Sequence, residues 1–481
     1  MDRPQSVAAP PARARALASL PRAALDLLIE THPTRRFLSR PMAAAIGLYL
    51  ALAVTFASFV VNNDALSYYK FLRRFLGAKV DATYSRGFGS ALLDIPFYAA
   101  ARAAEAVTGW ESAFGAPLTH VGIAFATIVA LVVTLYLGWR ILVVLELPAG
   151  PAVLLLALLG TPLLYYTAFE PTYKHGIDAF GFTLATFLLL RATEQPAGRV
   201  LVGLGATLAF LVSVRPANVA IVPAMLLPFL LRRQFRTAGT VFAVALAVGV
   251  LLFALPRARK IPANGPQPER GALVQAPPRG IEGSEPKAAG LLGLYWGLCK
   301  DPGYHLSFEQ CLLNGFGLRW NPDAPPKMLF SVRRGLFLWT PLTALASAGV
   351  GLAFLSRRRH RPFLLGLSAS ALFLLLVHMV WGDFWTGGFS FSQRFLASLL
   401  PFYLVGTAEL LRRWRAPAFA VLTLCAAFSL YVGFAQFMGY KGISERDGLD
   451  TILGKYDGGE RTPIDLARKV GHRALERYGL R

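Results

Sequence analysis

At 481 residues, with 55% hydrophobic and 16% charged side chains and a mean hydropathy of +0.48, the chain is too apolar to be a string of soluble domains. Its 49 Lys and Arg against 27 Asp and Glu give +22, but the basic residues stand in short runs between apolar blocks. They lack the aromatic interleaving of a single-strand groove and any Cys/His finger spacing, so nucleic acid is not the expected partner; membrane lipids and a phosphate-bearing substrate are.

Residues 1–41 are rich in Pro, Ala and Arg, and Ala14 to Glu30 reads as a surface-lying helix or as disorder. Arg35, Arg36 and Arg40 precede the first apolar block, which places the N-terminus in the cytoplasm by the positive-inside rule. That block is of spanning length and has no small-residue cleavage site in frame, so it reads as a span rather than a signal peptide.

Apolar segments follow at 42–61, 118–137, 151–169, 176–192, 199–214, 217–231, 237–256, 336–355, 362–380, 395–411 and 416–435. A span needs about 20 residues to cross roughly 30 Å of hydrocarbon. Eleven spans make 42–435 an all-α polytopic membrane domain and put the 436–481 tail outside. The arginines provide an internal check. Turns on the cytoplasmic side hold Arg140, Arg191, Arg199, Arg232, Arg233, Arg236, Arg357, Arg358, Arg359, Arg361, Arg412, Arg413 and Arg415, whereas the short outer turns hold Lys174, Arg215 and Arg394. The shortest segments lie between 176 and 231, where Arg215-Pro216 interrupts what is either two spans or one bent region.

Two outer loops are long. In the loop 62–117, Phe88 to Val107 has helical apolar spacing but contains Asp94, Arg102 and Glu105, so it reads as an interfacial helix and not as a twelfth span. The loop 257–335 begins rich in Pro, Gly and charge and becomes apolar enough after 290 to dock on the membrane domain. It carries Cys299 and Cys311, which either pair or remain two thiols; Cys425 falls in a span.

Uncommon polar residues collect at the outer hydrocarbon edge, where burial makes them expensive and therefore functionally informative. Asp64 follows the first span, with Asn63 and Tyr68 placed to orient it. In an outward cavity its carboxylate would take a proton from an attacking hydroxyl; the alternative is a solvated helix-end charge. Tyr84 and Arg86 come later in the same loop. The second outer turn supplies Glu170 and Asp178 with Lys174 and His175 between them, either a self-neutralising cluster or an anion site in which one acid supports Asp64 or a divalent cation such as Mg²⁺ or Mn²⁺. No HExxH, EF-hand or Cys/His ligand motif calls for a metal. Arg215 and Arg394 are lone arginines at outer helix ends, suited to a bidentate phosphate contact or to snorkelling toward lipid phosphate. Trp385 and Gln393 lie near Arg394, and Gly387-Gly388 allows close backbone approach.

Over roughly 42–435 the chain resembles the GT-C superfamily of membrane glycosyltransferases, which includes protein mannosyltransferases and the bacterial aminoarabinose transferases that modify lipid A. The resemblance rests on Asn63-Asp64 and Tyr68-Tyr69 after the first span, on Tyr84-Ser85-Arg86-Gly87, on the stretch from Ser331 to Pro341, and on that from Gly388 to Arg394. It implies an inverting enzyme of the cytoplasmic (inner) membrane that moves a sugar from a polyprenyl-phosphate donor to a lipid, glycan or protein acceptor on the outer face. Asp64 would stand as the loop-one catalytic acid and Arg394 as a phosphate-binding residue. Where many protein mannosyltransferases carry Asp-Glu, this chain has Asp64-Ala65, and the pairing of Asp64 with Glu170 or Asp178 stays open. A transporter or flippase is the rival class, although most of the spans are nearly free of ionisable residues and no repeat is visible. A glycan polymerase or ligase would use the same side and similar substrates.

Overall fold

The computed structural model describes residues 40–61, 63–78, 88–258, 322–378, 391–439, 471–472 and 475–476. Each predicted apolar segment coincides with helical structure. The first is α1 (Arg40–Phe56), and the first long loop contributes α2 (Asn63–Phe75) and α3 (Gly89–Thr108). A minimal antiparallel pair, Ser112–Ala113 with Ala116–Pro117, then leads into α4 (Leu118–Val144). Next comes α5 (Pro151–Leu159), with Pro151 at its first turn, where a missing N–H is harmless. A π-helical turn, Tyr165–Phe169, ends this segment before α6 (His175–Glu194). After α7 (Gly198–Val214), a 3-10 turn opened by Pro216 leads into α8 (Ile221–Leu231), followed by α9 (Phe235–Ala258).

Beyond 321 come α10 (Ala324–Phe330), α11 (Leu336–Trp339), α12 (Leu342–Ser356) and α13 (Arg361–Val377). A 3-10 turn, Arg394–Leu399, runs into α14 (Leu400–Gly439), which breaks at Trp414 where φ is −132° and ψ 50°. The predicted interfacial helix in the first loop is α3. It is stopped by Gly109, whose φ of 71° suits a residue without a Cβ and whose N–H caps Glu105.

The protein is therefore an all-α polytopic membrane protein. Among the described residues, five helical stretches are long and apolar enough to cross a bilayer: Leu118–Val144, His175–Glu194, Phe235–Ala254, Arg358–Val377 and Arg394–Phe437, the last containing the break at Trp414. At 1.5 Å per residue, α4 alone is about 40 Å long. Shorter apolar helices cover Pro41–Phe56, Gly198–Val214, Pro216–Leu231 and Leu342–Ser356. Outward-facing Phe242, Leu246, Val250 and Leu251 give α9 the apolar exterior that a lipid-facing helix requires. Two buried threonines return their hydroxyls to the preceding turn, Thr134 to the Ala130 carbonyl and Thr186 to the Phe182 carbonyl.

Helix pairs pack through small residues. α12 lies along the first half of α14, where a Cβ on Gly406 would collide with the backbone of Ala346 and one on Gly349 with the backbone of Gly406. Small residues let helix backbones approach, which is how membrane helices gain packing energy without a hydrophobic drive. Gly89 plays the same part between α3 and α7, meeting Ser213 and the Phe210 carbonyl.

The described helices run between two ends of the bundle. At one end the Arg357 guanidinium reaches the Leu145 and Glu146 carbonyls and Glu409, and Arg232 donates to the Thr193 carbonyl. That last bond brings the end of α8 back beside the end of α6, just before α7 begins, so the chain reverses at Arg215-Pro216 rather than bending through one span. The other end gathers the loops after α1 and α5, the Arg215 turn and the 391–399 segment. There Phe56 and Phe169 pack with Phe434, and Phe169 stacks on Phe437 at 5.2 Å.

Candidate functional site

At this second end the π turn and the start of α6 bring Glu170, Lys174, His175 and Asp178 together. Five residues of π-helix make the Glu170 N–H bond to the Tyr165 carbonyl, and the Phe169 and Thr167 carbonyls are met from outside by the Ser58 N–H (2.7 Å) and the Tyr49 hydroxyl (3.1 Å). The Thr172 hydroxyl donates to the Val60 carbonyl at 3.1 Å. These bonds lace the strand-like segment 57–61 to the segment that bears Glu170. Asp64 follows that lace as the second residue of α2; its carboxylate lies outside the described residues.

Each acid of known placement has a different set of partners. Asp178, 1% exposed, accepts from Asn218 Nδ2 at 2.6 Å and from Arg215 at 3.3 Å. Arg215 also stands 3.3 Å from His175 Nδ1 and lies over the Phe395 ring at 5.0 Å. Arg394, buried, stands 5.2 Å from the centroid of the same ring, so one phenyl ring is shared by two guanidinium groups. Glu170 is half-buried. Dehydration pushes its carboxyl up to about 7, against the opposing influence first of the Arg394 charge and then of Tyr165.

Lys174 behaves differently from the sequence expectation of a free anion-binding cation. Its ammonium lies 2.9 Å from Asp94 Oδ1 and 2.8 Å from Oδ2, with both side chains at most 2% exposed. The reason is desolvation: a buried ammonium must be matched, and Asp94 of α3 is the match. Tyr68 likewise sends its hydroxyl to the Val214 carbonyl at 3.2 Å, tying α2 to the end of α7. Gln393 is buried and donates from Nε2 to the Arg334 carbonyl at 3.0 Å. Tyr84, Arg86 and Trp385 lie outside the described residues.

Sequence reasoning missed Asp94 as a site neighbour, together with Asn218, Tyr166, Arg334 and Phe395. Asp94 carried one usable signal, a carboxylate on the apolar face of an otherwise amphipathic helix. Tyr166 carried none, being one aromatic within an apolar run. Arg334 is fully buried, donates to the Arg333 carbonyl at 2.7 Å and lies over Trp339 at 4.9 Å, anchoring the 331–340 segment beneath Gln393. Among the described residues no three of His, Cys, Asp and Glu stand close enough to hold a metal ion.

Fold and site together define a polytopic membrane protein with a buried, charge-matched polar cluster at one end of its helix bundle. Lys174, Arg215 and Arg394 stand against Asp94, Asp178 and Glu170, and protonation of Glu170 alone leaves the cluster with one excess positive charge. Among solved structures the chain is similar to the oligosaccharyltransferase of Archaeoglobus fulgidus in its apo form, with a TM-score of 0.45 and 12% identity, covering 90% of this chain and 59% of that one. It is also similar to ArnT from Cupriavidus metallidurans bound to undecaprenyl phosphate, with a TM-score of 0.43 and 14% identity, covering 90% of this chain and 76% of that one. The chain thus spans less than two thirds of the oligosaccharyltransferase's length. No protein-family model and no curated protein matches the chain.

Proposed function

We propose that this protein is a membrane glycosyltransferase that moves a sugar from a polyprenyl-phosphate donor to an acceptor hydroxyl at the site end of the bundle, which faces the outside of the cytoplasmic membrane. The observation that carries the reading is two guanidinium groups gathered at the Phe395 ring together with an acid, Glu170, tuned near neutrality. A lipid-linked donor suits a polar site at one end of a membrane helix bundle, because its apolar chain stays in the membrane while its phosphate meets Arg394.

The acceptor oxygen attacks the anomeric carbon from the face opposite the phosphate, the carbon–phosphate-oxygen bond breaks, and the configuration inverts. Arg394, with Arg215 at the same Phe395 ring, opposes the charge that grows on the departing phosphate. Glu170 takes the proton of the acceptor hydroxyl, since a base is most effective when its pKa lies near the working pH. Asp64, in α2 just after the segment laced to the π turn, is the alternative acceptor of that proton or its partner. Asp178 is assigned to holding Arg215, and Lys174 to holding Asp94.

Single-turnover transfer from a polyprenyl-phosphate sugar by the purified protein in nanodiscs tests this, with and without Mg²⁺ or Mn²⁺. Transfer that is lost in both Glu170→Gln and Arg394→Gln supports the assignment. Collapse in Asp64→Asn alone moves the base to α2, recovery of that variant at high metal assigns Asp64 to a cation, and donor flux across liposomes without transfer replaces the enzyme by a flippase.

A further inference from the structure

The tyrosine inside the π turn does something none of its neighbours do. The Tyr166 hydroxyl accepts from the Phe391 N–H at 2.7 Å and donates to the Phe391 carbonyl at 3.1 Å, so one side-chain oxygen serves both backbone groups of a residue 225 positions away. Tyr166 is 1% exposed and Phe391 is 2% exposed, which leaves water no easy way to take over either bond. Phe391 also stacks on Tyr165 at 4.9 Å and 14°, so the ring and the backbone of this residue are both held by the same turn.

Beyond Phe391 the chain is under strain. Ser392 has φ of 47°, in the left-handed region that a residue with a Cβ rarely enters. Such a conformation persists only where the surroundings over-determine it. Phe391 is pinned on one side of Ser392 and Gln393 on the other, by its bond to the Arg334 carbonyl. Arg394 comes next. On the other side of the contact, Glu170 begins where the π turn ends, its N–H bonded to the Tyr165 carbonyl. The turn itself is fixed to the first helix through the Tyr49 hydroxyl on the Thr167 carbonyl.

We propose that Tyr166 is a positioning residue that sets the separation of Glu170 and Arg394 by clamping the Phe391 backbone to the π turn. Its bearing on catalysis rests on the function proposed above; the clamp itself does not. Among the described residues the groups that act on Glu170 are Arg394 and Tyr165, while Glu170, Arg394 and Tyr173 act in turn on Tyr166. A looser clamp therefore reads out at Glu170, through the weakened influence of Arg394.

The test uses full-length protein in nanodiscs and an infrared titration of the Glu170 carboxyl, isolated by difference against Glu170→Gln. Wild type should titrate at about 7. Arg394→Gln gives the upward shift that follows when that charge is lost outright. Tyr166→Phe keeps the ring against His175, whose centroid is 4.5 Å away, and loses only the hydroxyl. It should shift the midpoint in the same direction by a smaller amount, add nothing further in the double variant with Arg394→Gln, and lower kcat about 10- to 100-fold with a smaller change in donor KM. An unshifted midpoint in Tyr166→Phe, or a shift that adds fully to that of Arg394→Gln, overturns the proposal. Should Tyr166→Phe fail to accumulate, 4-aminophenylalanine at position 166 keeps a donor but accepts poorly; a midpoint between those of wild type and Arg394→Gln supports the clamp and an unshifted one overturns it. A shifted midpoint in a protein that transfers no sugar leaves the clamp standing and removes the glycosyltransferase reading.

Discussion

The two ends of the bundle both bury carboxylates beside arginines, and they use them in opposite ways. At the end opposite the site, Glu409 is fully buried and saturated: Arg412 reaches it twice, at 2.9 and 2.7 Å, Arg413 at 2.9 Å, Arg357 at 3.4 Å and the Ser356 hydroxyl at 3.2 Å. Both carboxylate oxygens are met more than once, and the cluster joins the end of α12 and the first half of α14 to the turn after α4. At the site end three acids stand against three bases: Asp94 pairs with Lys174, Asp178 pairs with Arg215, and Glu170 lies under the influence of the Arg394 charge, with His175 and Asn218 beside them. A saturated carboxylate holds helices in place. A one-to-one set can change its net charge by a single proton, which is the property a reactive site needs.

That contrast can be broken from either side. The largest effect is expected from Glu170→Gln, which cannot accept a proton and should reduce single-turnover transfer about 10²- to 10⁴-fold at unchanged abundance. Lys174→Met leaves Asp94 as an uncompensated buried charge and should destabilise the protein by about 3–5 kcal/mol, most of it recovered when Asp94→Asn is added; thermal unfolding in detergent measures both. At the saturated end, Glu409→Gln should lower stability by about 1–3 kcal/mol, because several charge-assisted bonds become neutral ones, with transfer per folded molecule unchanged. Loss of transfer in that variant at full stability would erase the distinction between the two ends.

A smaller effect tests the proton. Glu170 has a folded pKa raised from 4.5 to about 7, so its base form is depleted below neutrality. Transfer should rise about tenfold per pH unit toward pH 7 and level off above it. The same shift makes a stability prediction of opposite sense: the folded state binds this proton more tightly than the unfolded chain, so the group favours folding at low pH and loses that advantage as pH climbs from 4.5 through 7. Arg394→Lys should weaken donor binding by about 1–2 kcal/mol, because a point charge replaces a planar fork.

Much of the architecture was legible in the sequence because bilayer crossing is a matter of local composition. The positions of the apolar segments needed no knowledge of their partners, and the reversal at Arg215-Pro216 was readable as one of two alternatives. The site was legible as a set of residues: Glu170, His175, Asp178, Arg215, Gln393 and Arg394 were marked by being polar at a hydrocarbon edge, and the structure brings them to one end. Who pairs with whom was not legible. Asp94 and Lys174 are 80 positions apart, Asp178 and Asn218 are 40 apart, and Tyr166 and Phe391 are 225 apart, so no local spacing could report those contacts. Lys174 was expected to be available to an anion because the sequence shows charge without showing burial.

The contact between Gly406 and the backbone of Ala346 lies only twelve residues beyond Arg394, on the helix that the arginine's own 3-10 turn opens. Any side chain at 406 must push α14 away from α12, and the turn carrying Arg394 would travel with it. A survey of tolerated substitutions would therefore score this glycine as intolerant alongside the polar residues of the candidate site, although it is not one of them. In choosing sites for cross-links, labels or stabilising changes, the seam between α12 and α14 should be treated as part of the foundation on which Arg394 stands and left unaltered.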